Sequence, residues 1–176
     1  FMGASDDWEA AQWCLVGVPF DGTSSYRPGS RFAPRAIRDA SWGLETYCPV
    51  LKKSLEETII YDVGDLALPI GNTERVLQII YEQAQLLLGT DKHWFGLGGE
   101  HLITLPVIQA YLEKYPNLAL IHFDAHTDLR EEYLGEEFSH ATVIRRISEY
   151  LPPERLIQIG VRSGERAEFE WMNTHE

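Results

Sequence analysis

The chain has 176 residues, 44% of them hydrophobic and 24% charged, enough for one domain with a buried core and unlike the composition of a disordered segment. Its 27 acidic residues against 15 basic ones give a formal net charge of -12, which disfavours nucleic acid and other polyanions as partners. No apolar run approaches the roughly 20 residues that cross a bilayer, so no membrane partner is expected.

The two cysteines, Cys14 and Cys48, are spaced neither as a zinc knuckle nor as a redox pair, which suits a reducing, cytoplasmic setting. No cleavable basic-then-apolar leader is recognisable at the start, and Phe1 ahead of Met2 suggests that the numbering does not begin at a natural start.

In chain order, WCLVGVPF (13–20) is a short apolar run ending in proline, the pattern of a buried strand. The stretch 21–41 opens as a long Gly, Pro and Ser-rich loop and closes in APRAIRDAS (33–41), where Pro34 fits a helix first turn. ETIIYDV (57–63) reads as a second strand. NTERVLQIIYEQAQLLLG (72–89) is the clearest helix, with Asn72 or Thr73 as its cap, apolar residues at helical spacing and Gly89 at its end.

KHWFGLGGEH (92–101) is a third strand running into glycines, TLPVIQAYLEKY (104–115) a helix and NLALIHFD (117–124) a fourth strand. HATVIRRISEYL (140–151) reads as a helix, RLIQIGV (155–161) as a fifth strand and GERAEFEWMNTHE (164–176) as a last helix. Short apolar strands alternating with helices predict a single α/β domain over 1–176 with a mainly parallel sheet covered on both faces. In such sheets ligands gather beyond the carboxyl ends of the strands, where GGEH (98–101) and DAHTD (124–128) fall.

Asp124, His126 and Asp128 occupy alternate positions, so in an extended or gently curved segment their side chains leave one face. His101 joins them from the neighbouring strand end, after two glycines that permit a tight turn. Mixed carboxylate and imidazole donors suit Mn, Fe, Ni or Zn, and a carboxylate-rich set leans to Mn. A carboxylate able to bridge invites a pair of ions about 3.5 to 4 Å apart. Each residue alone has a bland reading as a turn former or helix cap. Four such groups crowded together without a cation would repel or desolvate one another, which favours the metal site.

These motifs, with RPGSRFAPRAIR (27–38), DVGDL (62–66), SHAT (139–142) and GVRS (160–163) in the same order, resemble the ureohydrolases, the arginase and agmatinase family. The resemblance implies a three-layer α/β/α sandwich and a binuclear Mn²⁺ site that hydrolyses a guanidinium group to urea and an amine. It implies that His101 and Asp128 bind one ion, that His126 binds the other and that Asp124 bridges them. It also implies a homo-oligomer, trimeric or hexameric. The family's third metal motif, S-x-D-x-D-x-x-D-P, is absent from the sequence, so the chain is expected to be the N-terminal part of such a protein, with an incomplete metal shell.

Water is a poor nucleophile at neutral pH, and a metal lowers the pKa of bound water from 15.7 to about 7. The expected reaction is therefore attack by a metal-bound hydroxide, with Asp128 able to hold its proton. His140 is the candidate proton shuttle to the leaving amine, because histidine's ordinary pKa near 6.5 permits traffic both ways; its bland alternative is a helix cap. His122, inside an apolar strand, reads as a core histidine or as support for a ligand.

Glu131, Glu132, Glu136 and Glu137 give the segment 129–140 an acidic character that suits a substrate cationic at both ends, such as agmatine, which would yield putrescine and urea. Arg130 argues the other way. Arginase, guanidinobutyrase and formimidoylglutamase activities, and an inactive fragment, are the alternatives. No substrate-binding residue is assigned.

Overall fold

In the computed structural model, residues 1–175 are described, and most of their strands pair in parallel, with helices packed against them. Strand β1 (Trp13–Val18) is central, because it is buried along nearly its whole length. It pairs in parallel with β4 (Ile60–Asp65) on one side and β5 (His93–Gly98) on the other. Strands β6 (Leu120–Phe123) and β7 (Leu156–Ile159) form a second parallel pair. Between β1 and β4 lies a short antiparallel hairpin, β2 (Tyr47–Cys48) with β3 (Lys53–Ser54). That hairpin falls in a stretch whose composition carries no alternation, and the sequence reading has no element there.

Alternation along β1 sorts its side chains between two faces. Cys14, Val16 and Val18 enter the main core with Val76 and Ile80 of α2 (Thr73–Gly89) and Leu105 of α3 (Thr104–Lys114). Val143, Ile144 and Ile147 of α4 (Val143–Ile147) complete that core, and α5 (Arg166–Thr174) adds Trp171 at its margin. Leu15 faces the other way, against Ile60 and Leu97.

Helix α1 (Ala33–Ser41) lies on that second face, where Gly17 makes room for it. A Cβ on Gly17 would stand 1.8 Å from a carboxylate oxygen of Asp65 and 2.9 Å from Nη1 of Arg38. Through this gap Arg38 Nε and Nη2 each donate to Asp62 at 2.8 Å, and Nη1 donates to Asp65. Burial opposes ionisation of Asp62, yet the bonds from Arg38, from the chain's amino group and from the Gly64 amide bring its pKa down to about 2. The mainly parallel α/β sheet expected from the sequence is the one observed, but among the described residues Ile121, Phe123, Ile157 and Ile159 leave one face of β6 and β7 uncovered, where the sequence reading expects cover on both faces.

Several boundaries differ from expectation, and three elements differ with a physical cause that the structure shows. The strand expected at 57–63 is β4 at Ile60–Asp65, because Leu55–Glu57 form a turn of 3-10 helix closed by a reciprocal Ser54–Glu57 cap. The strand expected from 117 begins at Leu120, after a turn in which the Leu118 amide donates to Tyr115. The helix expected over 140–151 shrinks to α4, because the Thr142 hydroxyl bonds back to the Ser139 amide and the Glu137 carbonyl, holding 139–142 in a turn. Helix α2 is capped as expected, the Arg75 amide donating to Asn72 Oδ1 at 2.9 Å, and the last helix matches α5, with Glu176 outside the described residues. Among the described residues no helix is long and apolar enough to cross a membrane.

Candidate metal centre

Beyond β5 the chain runs hard against the end of β1. A Cβ on Gly99 would lie 2.6 Å from the Val18 carbonyl oxygen and 2.5 Å from that of Phe20, so no larger residue fits this backbone. The closeness lets the Glu100 amide donate to Phe20 O at 2.8 Å. The buried Glu100 carboxylate accepts from the Leu102 amide at 2.8 Å, the Thr23 amide at 3.2 Å and the Thr23 hydroxyl at 2.5 Å. Glu100 thus ties the β5 end to the loop after β1, while His101 is left to reach towards the end of β6.

There, His101 Nδ1 lies 2.7 Å from Asp128 Oδ2 and 3.9 Å from Asp124 Oδ2. Its ring stacks on that of His122, with centroids 5.0 Å apart. One ligand-capable atom from each of His101, His122, Asp124 and Asp128 lies within 4.8 Å of all the others. Imidazole nitrogen and carboxylate oxygen gathered so tightly fit a divalent transition ion by chemistry and by distance. They fall short of the six donors that an octahedral ion such as Mn²⁺ takes.

The alternation expected of the ligand segment runs through His126, which pairs in parallel with Ser163, and breaks at Asp128. Asp128 has φ of 52°, in the left-handed region that a non-glycine residue seldom adopts. Bonds on both sides hold it there. The Thr127 hydroxyl and Leu129 amide donate to Glu168 Oε1 at 2.5 and 2.9 Å, and the Asp128 carbonyl accepts from the Ile144 and Arg145 amides at 3.0 and 3.1 Å. The reversed backbone turns the Asp128 carboxylate towards His101 instead of keeping it in line with His126.

His126 stands outside the tight group, its side chain 63% exposed and its Nδ1 3.0 Å from Asp124 Oδ1. Asp124 therefore presents one oxygen to His126 and the other to His101 and His122. Burial works against ionisation of Asp124, but bonds from His126 and the nearby imidazoles keep its pKa below the ordinary carboxylate value. His122 is buried, and burial together with the neighbouring His101 pushes its pKa down. The sequence reading gave His122 as a core histidine or as support for a ligand, and the structure places it, buried, beside Asp124 and His101.

His140 and Asp128 line a cavity of 250 Å³, with His126, Arg130, Tyr133 and Glu168 also on its walls. His140 Nδ1 lies 2.9 Å from the Thr23 carbonyl, which can only accept, so Nδ1 carries the proton and Nε2 is left with its lone pair. The His140 amide donates to the Thr23 hydroxyl at 3.0 Å. Its side chain is not a helix cap, since α4 starts after Thr142. A larger groove of 690 Å³ between α2 and α3 holds none of these residues.

The acidic segment is less available to a substrate than its composition implied. Glu131 pairs with Arg145 and Arg146, and Glu137 with Arg146 at 3.1 Å. Two of the four carboxylates thus serve the nearly buried Arg146 on α4. Arg130 pairs with Glu165 at 3.0 Å.

Residues 11–176 match the model of the Arginase family. The agmatinases of Bacillus cereus and Bacillus subtilis are each 49% identical over 171 residues, which cover 97% of this chain and 59% of each relative. The crystal structure of agmatine ureohydrolase of Thermoplasma volcanium superposes with a TM-score of 0.88 at 36% identity, over 96% of this chain and 56% of that one. The chain thus spans about three fifths of the length of the curated relatives it matches.

Proposed function

The chain belongs to the arginase family, and we propose that its protein is a metal-dependent amidinohydrolase that cleaves agmatine to putrescine and urea. The carrying observation is the convergence of His101, Asp124 and Asp128 at the ends of β5 and β6, with His101 Nδ1 2.7 Å from Asp128 Oδ2. Those three residues, with His126 on the free side of Asp124, would hold the metal, which we take to be Mn²⁺, two ions in the complete site. The two-sided disposition of Asp124 supports a bridging role. A divalent cation there lowers the pKa of water towards neutrality, so that a nucleophile exists at ordinary pH.

The remaining chemistry falls to the chain's own residues. Water adds to the guanidinium carbon, the bond from that carbon to the alkyl nitrogen breaks, and the departing amine needs a proton. His140 is suited to this transfer: Thr23 fixes its Nδ1–H, leaving Nε2 as the atom that accepts a proton in the cavity and passes it on. Asp128 would hold the metal and, by accepting a hydrogen bond, would orient the incoming water. The reducing, cytoplasmic setting and a homo-oligomeric assembly belong to the same proposal.

A second reading takes arginine or another guanidino acid as substrate. It rests on Arg130, a cation on the cavity wall, and on the engagement of Glu131 and Glu137 with α4. Urea release from agmatine, arginine and guanidinobutyrate, with and without added Mn²⁺, tests both. Release from agmatine alone supports the first reading, release from arginine alone reverses the order, and no release with any of them overturns the enzyme.

A further inference from the structure

His122 has one nitrogen bound and one bare. Its Nδ1 lies 2.9 Å from the side-chain nitrogen of Gln158, and its Nε2, 3.6 Å from Asp124 Oδ2, is buried with no hydrogen-bond partner among the described residues. By position alone Nε2 could ligate an ion or could donate to Asp124. The hydrogen-bond chain behind it decides between the two.

Gln158 also approaches the Thr127 carbonyl, 2.9 Å from its Nε2. A carbonyl only accepts, so the amide must turn its NH₂ group that way, and this same NH₂ group faces His122. An NH₂ group only donates. His122 Nδ1 must therefore supply the lone pair, and a neutral imidazole has only one such nitrogen. The proton is left on Nε2, aimed at Asp124, and a protonated nitrogen cannot bind a metal. The register of β6 with β7 secures the arrangement, since His122 and Gln158 are direct partners in that pair.

We propose that His122 is a positioning residue for Asp124 and not a metal ligand, its Nε2–H directed at Asp124 Oδ2 by a tautomer that Gln158 and the Thr127 carbonyl impose. The inference rests on the reading of Asp124 as a metal-holding residue. The Asp124 carboxylate is otherwise pulled towards His126 by two bonds to Oδ1, from the amide at 2.8 Å and near the ring at 3.0 Å. From 3.6 Å, beyond hydrogen-bond length, the Nε2–H dipole of His122 attracts Oδ2, which opposes that pull and keeps Oδ2 facing His101. The stacked His101 ring leaves His122 little freedom to rotate away.

The test reads the tautomer directly. Long-range proton–nitrogen NMR of the protein labelled with ¹⁵N-histidine separates protonated from bare ring nitrogens, and the spectrum of His122→Gln identifies the His122 signals. The expected result is a protonated Nε2 and a bare Nδ1, both without metal and with Zn²⁺ added as a diamagnetic ion. A bare Nε2 without metal, or an Nε2 that loses its proton on Zn²⁺ addition, overturns the proposal. Mn²⁺ titration supplies the second arm. Gln158→Leu and His122→Ala should each weaken Mn²⁺ binding by roughly 10 to 100-fold, while His122→Gln, which keeps an N–H donor, should lose less than His122→Ala.

Equal loss in both His122 variants overturns the role of the N–H, and unchanged Mn²⁺ affinity with lowered thermal stability reduces His122 to packing. Failure of the wild-type protein to bind Mn²⁺ would remove the proposed function. The tautomer would still be read from the metal-free spectrum, so the two failures are distinguishable.

Discussion

His101 and Asp128, 27 residues apart, meet with Nδ1 2.7 Å from Oδ2 because a glycine-lined turn delivers one and a left-handed residue delivers the other. Neither placement is local in origin. Each depends on a backbone feature that its neighbours enforce, and each can be broken separately.

Charge at Asp128 can be removed without disturbing its backbone, because asparagine tolerates the left-handed region about as well as aspartate. Asp128→Asn should therefore keep its melting temperature within a few degrees while losing Mn²⁺ affinity and urea release by at least about 100-fold, roughly 3 kcal/mol. Asp128→Val, β-branched at a φ of 52°, should in contrast unfold earlier. Calorimetry beside isothermal metal titration separates the two. A charge-neutral variant with full metal affinity would exclude Asp128 from the ligand set.

Gly99→Ala places a methyl group inside contact distance of two carbonyl oxygens, those of Val18 and Phe20. Backbone cannot yield as a side chain does, so the variant should lose about 1 to 3 kcal/mol of stability. It should also loosen the Glu100 amide bond to Phe20 and so disperse His101. Urea denaturation and Mn²⁺ titration should fall together. Gly135→Ala, at φ of 84° but with open space around it, is the control, expected to lose stability and keep metal affinity.

Thr23 joins Glu100 to His140, accepting from the His140 amide and donating to Glu100. Thr23→Val removes the hydroxyl at nearly constant volume and strips the buried Glu100 and the partly buried His140 of a partner each, a loss of about 1 to 3 kcal/mol. If His140 moves a proton, kcat should fall by about 10 to 100-fold with KM little altered, and Thr23→Ser should restore most of it. A change confined to KM would point to substrate placement instead.

Asp62 ties the fold to pH. Its carboxyl is held at about 2 in the folded protein against an ordinary 3.8. A depressed folded value means the stabilisation is complete above about pH 4 and is lost as pH falls through about 2, amounting to roughly 2 kcal/mol. Acid unfolding curves of Asp62→Asn should lack that component and start from a lower plateau near neutral pH. Parallel curves for variant and parent below pH 4 would contradict the assignment.

Much of this architecture was legible in the residues. Apolar runs of four to eight residues separated by helical periods are sufficient for a parallel α/β sheet, because only a strand covered on both faces is apolar throughout. The Asn72 cap and the repeat from Val76 to Leu87 similarly define α2, since cap and period are properties of neighbours in sequence. The soft motifs were readable as a resemblance, though not for what they do: Arg38 and Asp62, from two of them, meet across the glycine notch at position 17. Where a turn depends on a single hydroxyl, as Thr142 folding back on Ser139 and Glu137, periodicity extended the helix too far.

The residue types at the two strand ends, and hence the class of ion they suit, followed from the sequence alone. Which of them converge was decided by tertiary structure. His122 enters the tight group and His126 stands at its edge, because a reversed backbone at Asp128 and a hydrogen-bond chain from Gln158 orient side chains that spacing treats as equivalent. Two acidic residues of the 129–140 segment were likewise turned from a prospective substrate to Arg146 by the packing of α4. Spacing fixes the face of a strand, but a side chain's direction beyond the strand's end is set by partners distant in the chain.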